Sequence, residues 1–185
     1  MLIKVNKYKS LKVEENVDLT CGPGCCFNGM TIHNDGYAKT KTRSAVTIGK
    51  NLHSGKNCLI RTSDHSYKNG YPLIHGDLSG YDSANVKIGD HVWLGDNVTI
   101  MKGSVIGNGC IIQANSTVIG TIPDLAIAGG HPCRPFAFRD AEEYELLKSF
   151  NLSKKVTSIG GESEESRNYV RNVSEYFSYI RKKFS

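Results

Sequence analysis

The amino-acid sequence predicts a parallel β-helix followed by a C-terminal helical extension, and two observations support this fold class. From Val86 to Thr121 the chain can be written in groups of six residues, with an aliphatic residue at the third position of every group. The third positions are Ile88, Leu94, Ile100, Ile106, Ile112 and Val118. The repeat ends at Ile122-Pro123, and after residue 134 apolar residues recur instead at the spacing of one face of an α-helix.

A period of six residues fits neither the 3.6-residue turn of a helix nor the longer spacing of antiparallel sandwiches. It fits short strands joined by tight corners, with one aliphatic side chain of each strand pointing inward. Three strands then make a triangular coil of about 18 residues, and stacked coils pair as parallel strands about 4.8 Å apart. The repeat therefore predicts a solenoid with a continuous aliphatic interior.

The same frame occurs upstream, from Val46 to Ile60, and then breaks. Residues 64–85 are polar and contain three Gly, one Pro and three Tyr, which predicts a long loop extruded from the coil. We expect residues 1–134 to form the β-helix domain and residues 135–185 to form the helical extension. Within the extension, the segments Ala141–Phe150 and Ser166–Phe184 have helical patterns.

Composition excludes several classes of protein. The net charge is +5 over 185 residues, without the concentrated basic patch of a nucleic-acid binder. No apolar run approaches the roughly 20 residues that a membrane span needs, and the N-terminus lacks the pattern of a signal peptide. These features predict a cytoplasmic protein. The excess of nine Lys and Arg over four Asp and Glu in residues 1–60 suits an anionic small molecule.

The six cysteines include one cluster, Cys21-Gly-Pro-Gly-Cys25-Cys26. A metal or redox site would explain the cluster, but a second ligand pair at the spacing of a zinc finger is missing. Reduced thiols that pack as small apolar side chains beside a turn are the simpler explanation. Whether these three cysteines have a function stays open.

Two segments carry a family resemblance: Ile88-Gly-Asp-His-Val-Trp-Leu-Gly95, and Ala128-Gly-Gly-His-Pro-Cys-Arg134 after Ile122-Pro123. With them the chain resembles the hexapeptide-repeat acetyltransferases, in the branch that contains galactoside, maltose, xenobiotic and polysaccharide O-acetyltransferases. The resemblance covers residues 25–139. It implies a left-handed coil, a homotrimer, and acetyl-CoA as co-substrate between neighbouring subunits. The spacing alone would not give the handedness, since parallel crossovers are normally right-handed.

Histidine is the side chain best suited to act as the base in this chemistry. Acetyl transfer to a hydroxyl needs a base near the hydroxyl proton and donors that face the developing oxyanion. The resemblance places the catalytic histidine where the coil opens into the loop, which is His65 here, with His75 in reserve. The other histidines are expected on the surface, at coil corners or in the terminal turn: His33, His53, His91 and His131.

The resemblance also implies binding residues. Those on the path of acetyl-CoA are Trp93, Asp96, Ala114, Ile119, Gly120 and Arg134. The pair Ile119-Gly120 stands where the family often has Thr-Lys, so a charged group near the phosphates is missing, whereas Arg134 can pair with a phosphate. Asn28, Asp35 and Tyr71 are expected to contact the acceptor, and no metal is expected.

The sequence therefore predicts an acetyl-CoA-dependent O-acetyltransferase that modifies a carbohydrate hydroxyl, in a cell-surface polysaccharide or its precursor. Transfer to the amino group of an amino sugar or nucleotide-sugar and acetylation of an antibiotic remain alternatives. A zinc hydratase on the same fold would need three converging imidazoles, two of them five positions apart, and no two histidines here have that spacing. A non-enzymatic scaffold predicts neither a histidine beside a loop nor the terminal turn.

Overall fold

Three mainly parallel β-sheets enclose the core of the part of the chain that the structure describes. The computed structural model describes residues 2–6, 9–35, 43–66 and 81–149, together with isolated helical positions between 175 and 182. The strands in chain order are β1 (Leu2–Asn6), β2 (Lys9–Val13), β3 (Val17–Cys21), β4 (Cys26–Asn28), β5 (Met30–His33), β6 (Ser44–Ile48), β7 (His53–Lys56), β8 (Leu59–Arg61), β9 (Ser63–His65), β10 (Tyr81–Ser83), β11 (Val86–Ile88), β12 (Trp93–Leu94), β13 (Thr99–Ile100), β14 (Val105–Ile106), β15 (Ile111–Ile112), β16 (Thr117–Val118), β17 (Thr121–Ile122), β18 (Ala126–Gly130) and β19 (Cys133–Phe138). One helix follows, α1 (Ala141–Ser149).

The sheets are the three faces of a triangular coil. Sheet I has the order β1-β2-β5-β8-β13-β16, sheet II the order β3-β6-β11-β14-β17, and sheet III the order β4-β7-β12-β15-β18-β19. Apart from the β9–β10 pair, successive strands from β3 to β18 visit sheets II, III and I in turn, so that three strands make one coil. The coil is closed at each end by an antiparallel pair, β1 with β2 and β18 with β19. The expected parallel β-helix with a C-terminal helix is confirmed.

The strand register shows where the repeat is regular and where it is interrupted. In the regular coils, paired residues are 18 positions apart, as Trp93 pairs with Ile111 and Thr99 with Thr117. Across the insertion the offset is 40, since Val46 pairs with Val86. The extra residues leave the coil after β8, and the chain returns at β11.

The interior is an aliphatic column. All six third positions of the repeat are at most 1% exposed. Along sheet I, for example, Ile32, Ile60, Ile100 and Val118 lie in register in four successive coils. Burying one such side chain contributes roughly 1.5–3 kcal/mol, so the column is the main source of stability in this solenoid.

The corners explain why glycine follows so many aliphatic positions. A Cβ built on Gly95 would lie 2.4 Å from the backbone nitrogen of Ala114 in the next coil, too close for any side chain. Other corners use Asn57, Asn97 and Asn115, whose φ angles lie between 55° and 58°. Asparagine tolerates this left-handed backbone, and hydrogen bonds of 3.4 and 3.1 Å join these three side chains in a ladder.

The helical region is a second compact unit, because the chain divides into Met1–Phe138 and Arg139–Ser185. Helix α1 begins after Asp140, whose Oδ1 accepts the N–H of Glu143 at 2.7 Å as an N-cap. Glu175 and a few later positions are also helical, while the apolar positions expected in that second helix, such as Val173, lie outside the described residues. Among the described residues, no helix is long and apolar enough to cross a membrane.

Candidate active site

His65 lies at the base of the insertion, in a short antiparallel stem. Strand β9 pairs with β10 so that His65 is opposite Tyr81, and the two rings stack with centroids 4.3 Å apart. The backbone N–H of His65 donates to Asp64 Oδ1 at 2.9 Å, and the Nδ1 atom of its ring is buried. The stem thus holds the imidazole against the ring of Tyr81.

The remainder of the extruded loop, residues 67–80, lies outside the described residues. This segment includes Tyr71, the expected acceptor contact, and His75, the reserve base.

A polar network lies one coil below the start of the insertion. His33 Nδ1 is 2.7 Å from Glu14 Oε1 and 4.0 Å from Asp35 Oδ1. The Arg61 guanidinium donates to Asp35 Oδ2 at 2.6 Å, and the backbone N–H of Asn34 donates to Glu14 Oε2 at 2.8 Å. Each carboxylate therefore has one oxygen that accepts a hydrogen bond, from Asn34 or from Arg61, and a second oxygen that faces the imidazole of His33.

The sequence does not single out Glu14 and Arg61, because their partners are distant along the chain. Glu14 and His33 are 19 positions apart, and Asp35 and Arg61 are 26 apart. The first separation is close to the length of one coil, and this is the signal that could have found the pair. His33, expected at the surface or at a corner, is half-buried at the end of β5.

Asn28, the other expected acceptor residue, lies in β4 on sheet III, whereas Arg61 ends β8 on sheet I and Asp35 follows β5. Its backbone N–H donates to Ser54 Oγ and its side-chain amide donates to the Ser54 carbonyl, both at 3.1 Å. These bonds fix Asn28 to the next coil and leave its Oδ1 as the side-chain group available to a ligand.

Three of the expected cofactor residues lie together in neighbouring coils. Trp93 is on the outer face of sheet III, 48% exposed, between His53 and Ile111. Asp96 Oδ1 accepts the N–H of Lys56 at 2.7 Å, so this carboxylate stabilises the stacking of two coils in addition to any role toward a ligand. Ala114 is exposed at the same corner, where its backbone packs against Gly95.

The other expected cofactor residues belong to the last coils. Ile119 is 54% exposed, and a Cβ on Gly120 would meet no atom within 4 Å. Arg134 is exposed on β19, where its guanidinium donates to the Cys133 carbonyl at 2.9 Å. In the turn before it, His131 Nδ1 is 2.7 Å from Thr117 Oγ1.

The cysteines do not assemble a metal site among the described residues, where the one cluster of three potential ligands is Glu14, His33 and Asp35. Burial raises the pKa of the Cys110 thiol to about 11. Partial desolvation, followed by the neighbouring Cys25 thiol, raises the pKa of the Cys21 thiol. These thiols are therefore protonated at neutral pH and are poor nucleophiles and metal ligands in that state.

Comparison with known proteins identifies the family of this chain. Residues 85–120 match the family described as bacterial transferase hexapeptide (six repeats). Over 140 residues the chain is 34% identical to WbbJ of Escherichia coli K12, which is named as a lipopolysaccharide biosynthesis O-acetyl transferase; the match covers 73% of this chain. This chain belongs to the hexapeptide-repeat acetyltransferase family.

Two further similarities support the assignment. The galactoside O-acetyltransferase of Escherichia coli K12 is 29% identical over 117 residues, which is 60% of this chain. The crystal structure of a maltose O-acetyltransferase from Clostridium difficile 630 superposes with a TM-score of 0.51 at 26% identity, over 70% of this chain and 67% of that one. The fold match agrees with the left-handed coil that the resemblance implies. The chain spans 66% of WbbJ and 53% of the galactoside enzyme, less than two thirds of either.

Proposed function

We propose that this member of the family is an acetyl-CoA-dependent O-acetyltransferase that acetylates a carbohydrate hydroxyl, in a cell-surface polysaccharide or its precursor, with His65 as the general base. The observation that carries the proposal is the stem of the insertion. It holds the His65 imidazole, stacked on Tyr81, where the regular coil is interrupted.

The chemistry follows from this placement. The imidazole of His65 takes the proton of the acceptor hydroxyl while the oxygen attacks the thioester carbonyl. The new C–O bond forms, the C–S bond breaks, and the CoA thiol leaves with the proton that the imidazole returns. A hydroxyl is a weak nucleophile at neutral pH, so a base at this point accelerates the reaction by about 10²–10⁴-fold.

The outer surface of the later coils suits an extended co-substrate with an apolar arm and a charged end. Trp93 and Ile119 expose about half of their apolar side chains, and Gly120 leaves open space above its backbone. Arg134 supplies a permanent positive charge farther along the chain, where a phosphate can pair with it. Trp93, Asp96, Ala114, Ile119, Gly120 and Arg134 are the residues we assign to acetyl-CoA.

The acceptor side is polar and carries both signs of charge. The Asp35–Arg61 pair and the Glu14–His33 pair present donors and acceptors close together, which suits the hydroxyl groups of a sugar. Tyr81 adds an aromatic face beside the base, and such faces stack on sugar rings. The names of WbbJ and of the galactoside enzyme point to carbohydrate acceptors as well.

A homotrimer with acetyl-CoA between subunits completes the proposal. A triangular solenoid offers a flat face to each neighbour, and cyclic closure of such faces gives three subunits. The exposed Val105 and Trp93 are apolar side chains on two different faces, as expected for surfaces that are covered in an assembly. Light scattering of the purified chain at micromolar concentration should give three times the mass of one chain. A fully active monomer would contradict this part of the proposal.

The decisive experiment is a turnover screen with acetyl-CoA against glycans, amino sugars, nucleotide-sugars and antibiotics. Release of free CoA thiol measures the rate, and mass spectrometry identifies the product. We expect a glycan to gain one acetyl group that mild alkali removes, because esters are alkali-labile. An alkali-stable product would show an amide and hence N-transfer. Turnover of antibiotics alone would contradict the carbohydrate acceptor.

A further inference from the structure

The corner that follows β13 lies against the neck of the insertion, where the backbone N–H of Ala84 donates to the Thr62 carbonyl at 2.9 Å. Strand β13 pairs with β8 in sheet I, so Lys102, two positions beyond β13, stands one coil further along from the start of the insertion. A Cβ built on the neighbouring Gly103 would lie 3.7 Å from the Cβ of Ala84. The corner of the next coil therefore contacts the chain where the insertion returns.

Lys102 reaches the returning strand β10 through its ammonium group. Its Nζ is 3.6 Å from Asp82 Oδ2, and the two side chains are 21% and 32% exposed. In the β9–β10 register Asp82 is opposite Asp64, whose Oδ1 accepts the N–H of His65 at 2.9 Å. The ion pair thus joins the next coil to the strand that carries Tyr81.

The stem carries two carboxylates on one face. Side chains alternate along a strand, so the opposed Asp64 and Asp82 lie on the face away from His65 and Tyr81. Like charges directly opposite each other across two strands are destabilising, and a two-stranded hairpin alone is marginally stable in water. Lys102 supplies a positive charge at this face and offsets the repulsion between the carboxylates.

The two strands of the stem are anchored to different coils. The outgoing strand is held by the preceding coil, because both the N–H and the Oγ1 of Thr62 donate to the His33 carbonyl at 2.9 Å. The returning strand is held by the next coil through Lys102. Loss of the second anchor frees β10, and with it the Tyr81 ring that stacks on His65.

We infer that Lys102 is a positioning residue for the proposed reaction: its ion pair with Asp82 holds β10 against the coil and so keeps Tyr81 stacked on the imidazole of His65. The inference rests on the proposed function, because it takes His65 to be the general base. Lys102 acts through the stem, since its partner Asp82 lies on the opposite face of the stem from His65.

The first test is the kinetics of Lys102→Met in the full chain, a change that keeps the length of the side chain and removes its charge. We expect kcat for the acceptor found in the screen to fall by about tenfold, since displacement of a reacting group by about 1 Å can cost up to about 10²-fold. The Kd for acetyl-CoA, measured by calorimetry, should stay unchanged. Lys102→Arg keeps the charge and should restore most of kcat.

Lys50→Met is the matched control. Lys50 also joins one coil to the next, with its Nζ 3.8 Å from Asp90 Oδ2, but it does so at the corner between sheets II and III, where no insertion leaves the coil. This variant should keep the kcat of the wild type. An equal loss of kcat in Lys50→Met and Lys102→Met would assign the effect to coil stacking in general and overturn the inference.

Asp82→Asn tests the argument from charge. In the Lys102→Met background it removes the repulsion between Asp82 and Asp64, so kcat should recover toward that of the wild type. A double variant as slow as Lys102→Met would show that the lysine acts by packing alone, and the inference would be wrong.

Hydrogen exchange examines the stem without reference to activity. The amide of Ala84, which closes the neck of the insertion, should exchange faster in Lys102→Met than in the wild type, because local opening of the stem becomes easier. In Lys50→Met it should exchange at the rate of the wild type. An unchanged rate in Lys102→Met would contradict the anchoring role of Lys102.

His65→Ala separates the two possible failures, with His91→Asn as its control, because His91 is a corner residue with φ 55°, which asparagine tolerates. If His65→Ala loses turnover while Lys102→Met keeps kcat, the inference is wrong and the proposed function stands. The inference is also wrong if Lys102→Met only weakens the binding of acetyl-CoA. If the wild type transfers no acetyl group, or His65→Ala transfers it at the full rate, the proposed function is wrong and the inference fails with it.

Discussion

The regular coils and the interrupted corner of this β-helix differ in what their residues do. From β11 to β16 the offset between paired residues is constant at 18, and the side chain at every third position of the repeat is aliphatic and buried. At the corner between sheets I and II, where β5 and β8 end, the chain leaves the coil and charged side chains gather around His33. Regular stacking builds a rigid frame with little chemistry inside it. We propose that the reactive groups lie where the stacking is interrupted.

The largest loss in the free energy of unfolding should come from a substitution of a buried side chain in the regular coils. Ile100 is fully buried in the aliphatic column, so Ile100→Ala removes buried methyl groups and leaves a cavity. We expect a loss of about 2–5 kcal/mol in the free energy of unfolding. Ile119→Ala is the control, because Ile119 is 54% exposed, and its loss should stay within about 0.5 kcal/mol. Urea unfolding measures both, and equal losses would contradict the core assignment.

At the interrupted corner, we expect a substitution to change substrate binding more than it changes stability. Glu14→Gln keeps the shape of the side chain but removes the charge that faces His33 at 2.7 Å. Since both side chains are partly exposed, the stability should change by less than about 1 kcal/mol. The KM for the acceptor identified in the screen should rise several-fold, by about the worth of one hydrogen bond. Glu15→Gln, at the exposed neighbouring position, is the matched control and should leave KM unchanged.

A further contrast is a pH dependence of stability that comes from the regular coils. The thiol of Cys110 has its pKa raised to about 11 in the folded chain by burial, against about 8.5 for an exposed thiol. Between these values the unfolded chain loses its proton first, so stability is complete below about pH 8.5 and falls as pH rises toward 11. Thermal unfolding of wild type and Cys110→Ala at pH 7.5 and pH 10 checks this. The stability difference between the two proteins should shrink at the higher pH.

The sequence predicts the β-helix better than it predicts the candidate active site, for a physical reason. A side chain such as Ile100 is specified by a local period of six, because every coil must fill the same triangular interior. The Glu14–His33 pair depends on two residues 19 positions apart that meet only when the coils stack. Helix α1 is predicted well, since its apolar spacing is local and Asp140 supplies the N-cap.

The expected cofactor residues show a second limit of the sequence. Asp96 is recognisable by its position after Trp93, yet the structure shows its carboxylate bound to the backbone of Lys56 in the preceding coil. Its position in the motif does not separate a role in stacking coils from a role toward acetyl-CoA. His131 likewise stands in the terminal motif, but its contact with Thr117 is visible only in the structure.

We propose that the base of the reaction lies at the start of the insertion and is separate from the co-substrate site in the regular coils. The most direct test compares acetyl-CoA binding and acetyl transfer in the same preparations of wild type, His65→Ala and the control His91→Asn. We expect His65→Ala to bind acetyl-CoA normally and to lose about 10²–10⁴-fold in kcat, while His91→Asn keeps both. Transfer by His65→Ala at the rate of the wild type would contradict the account.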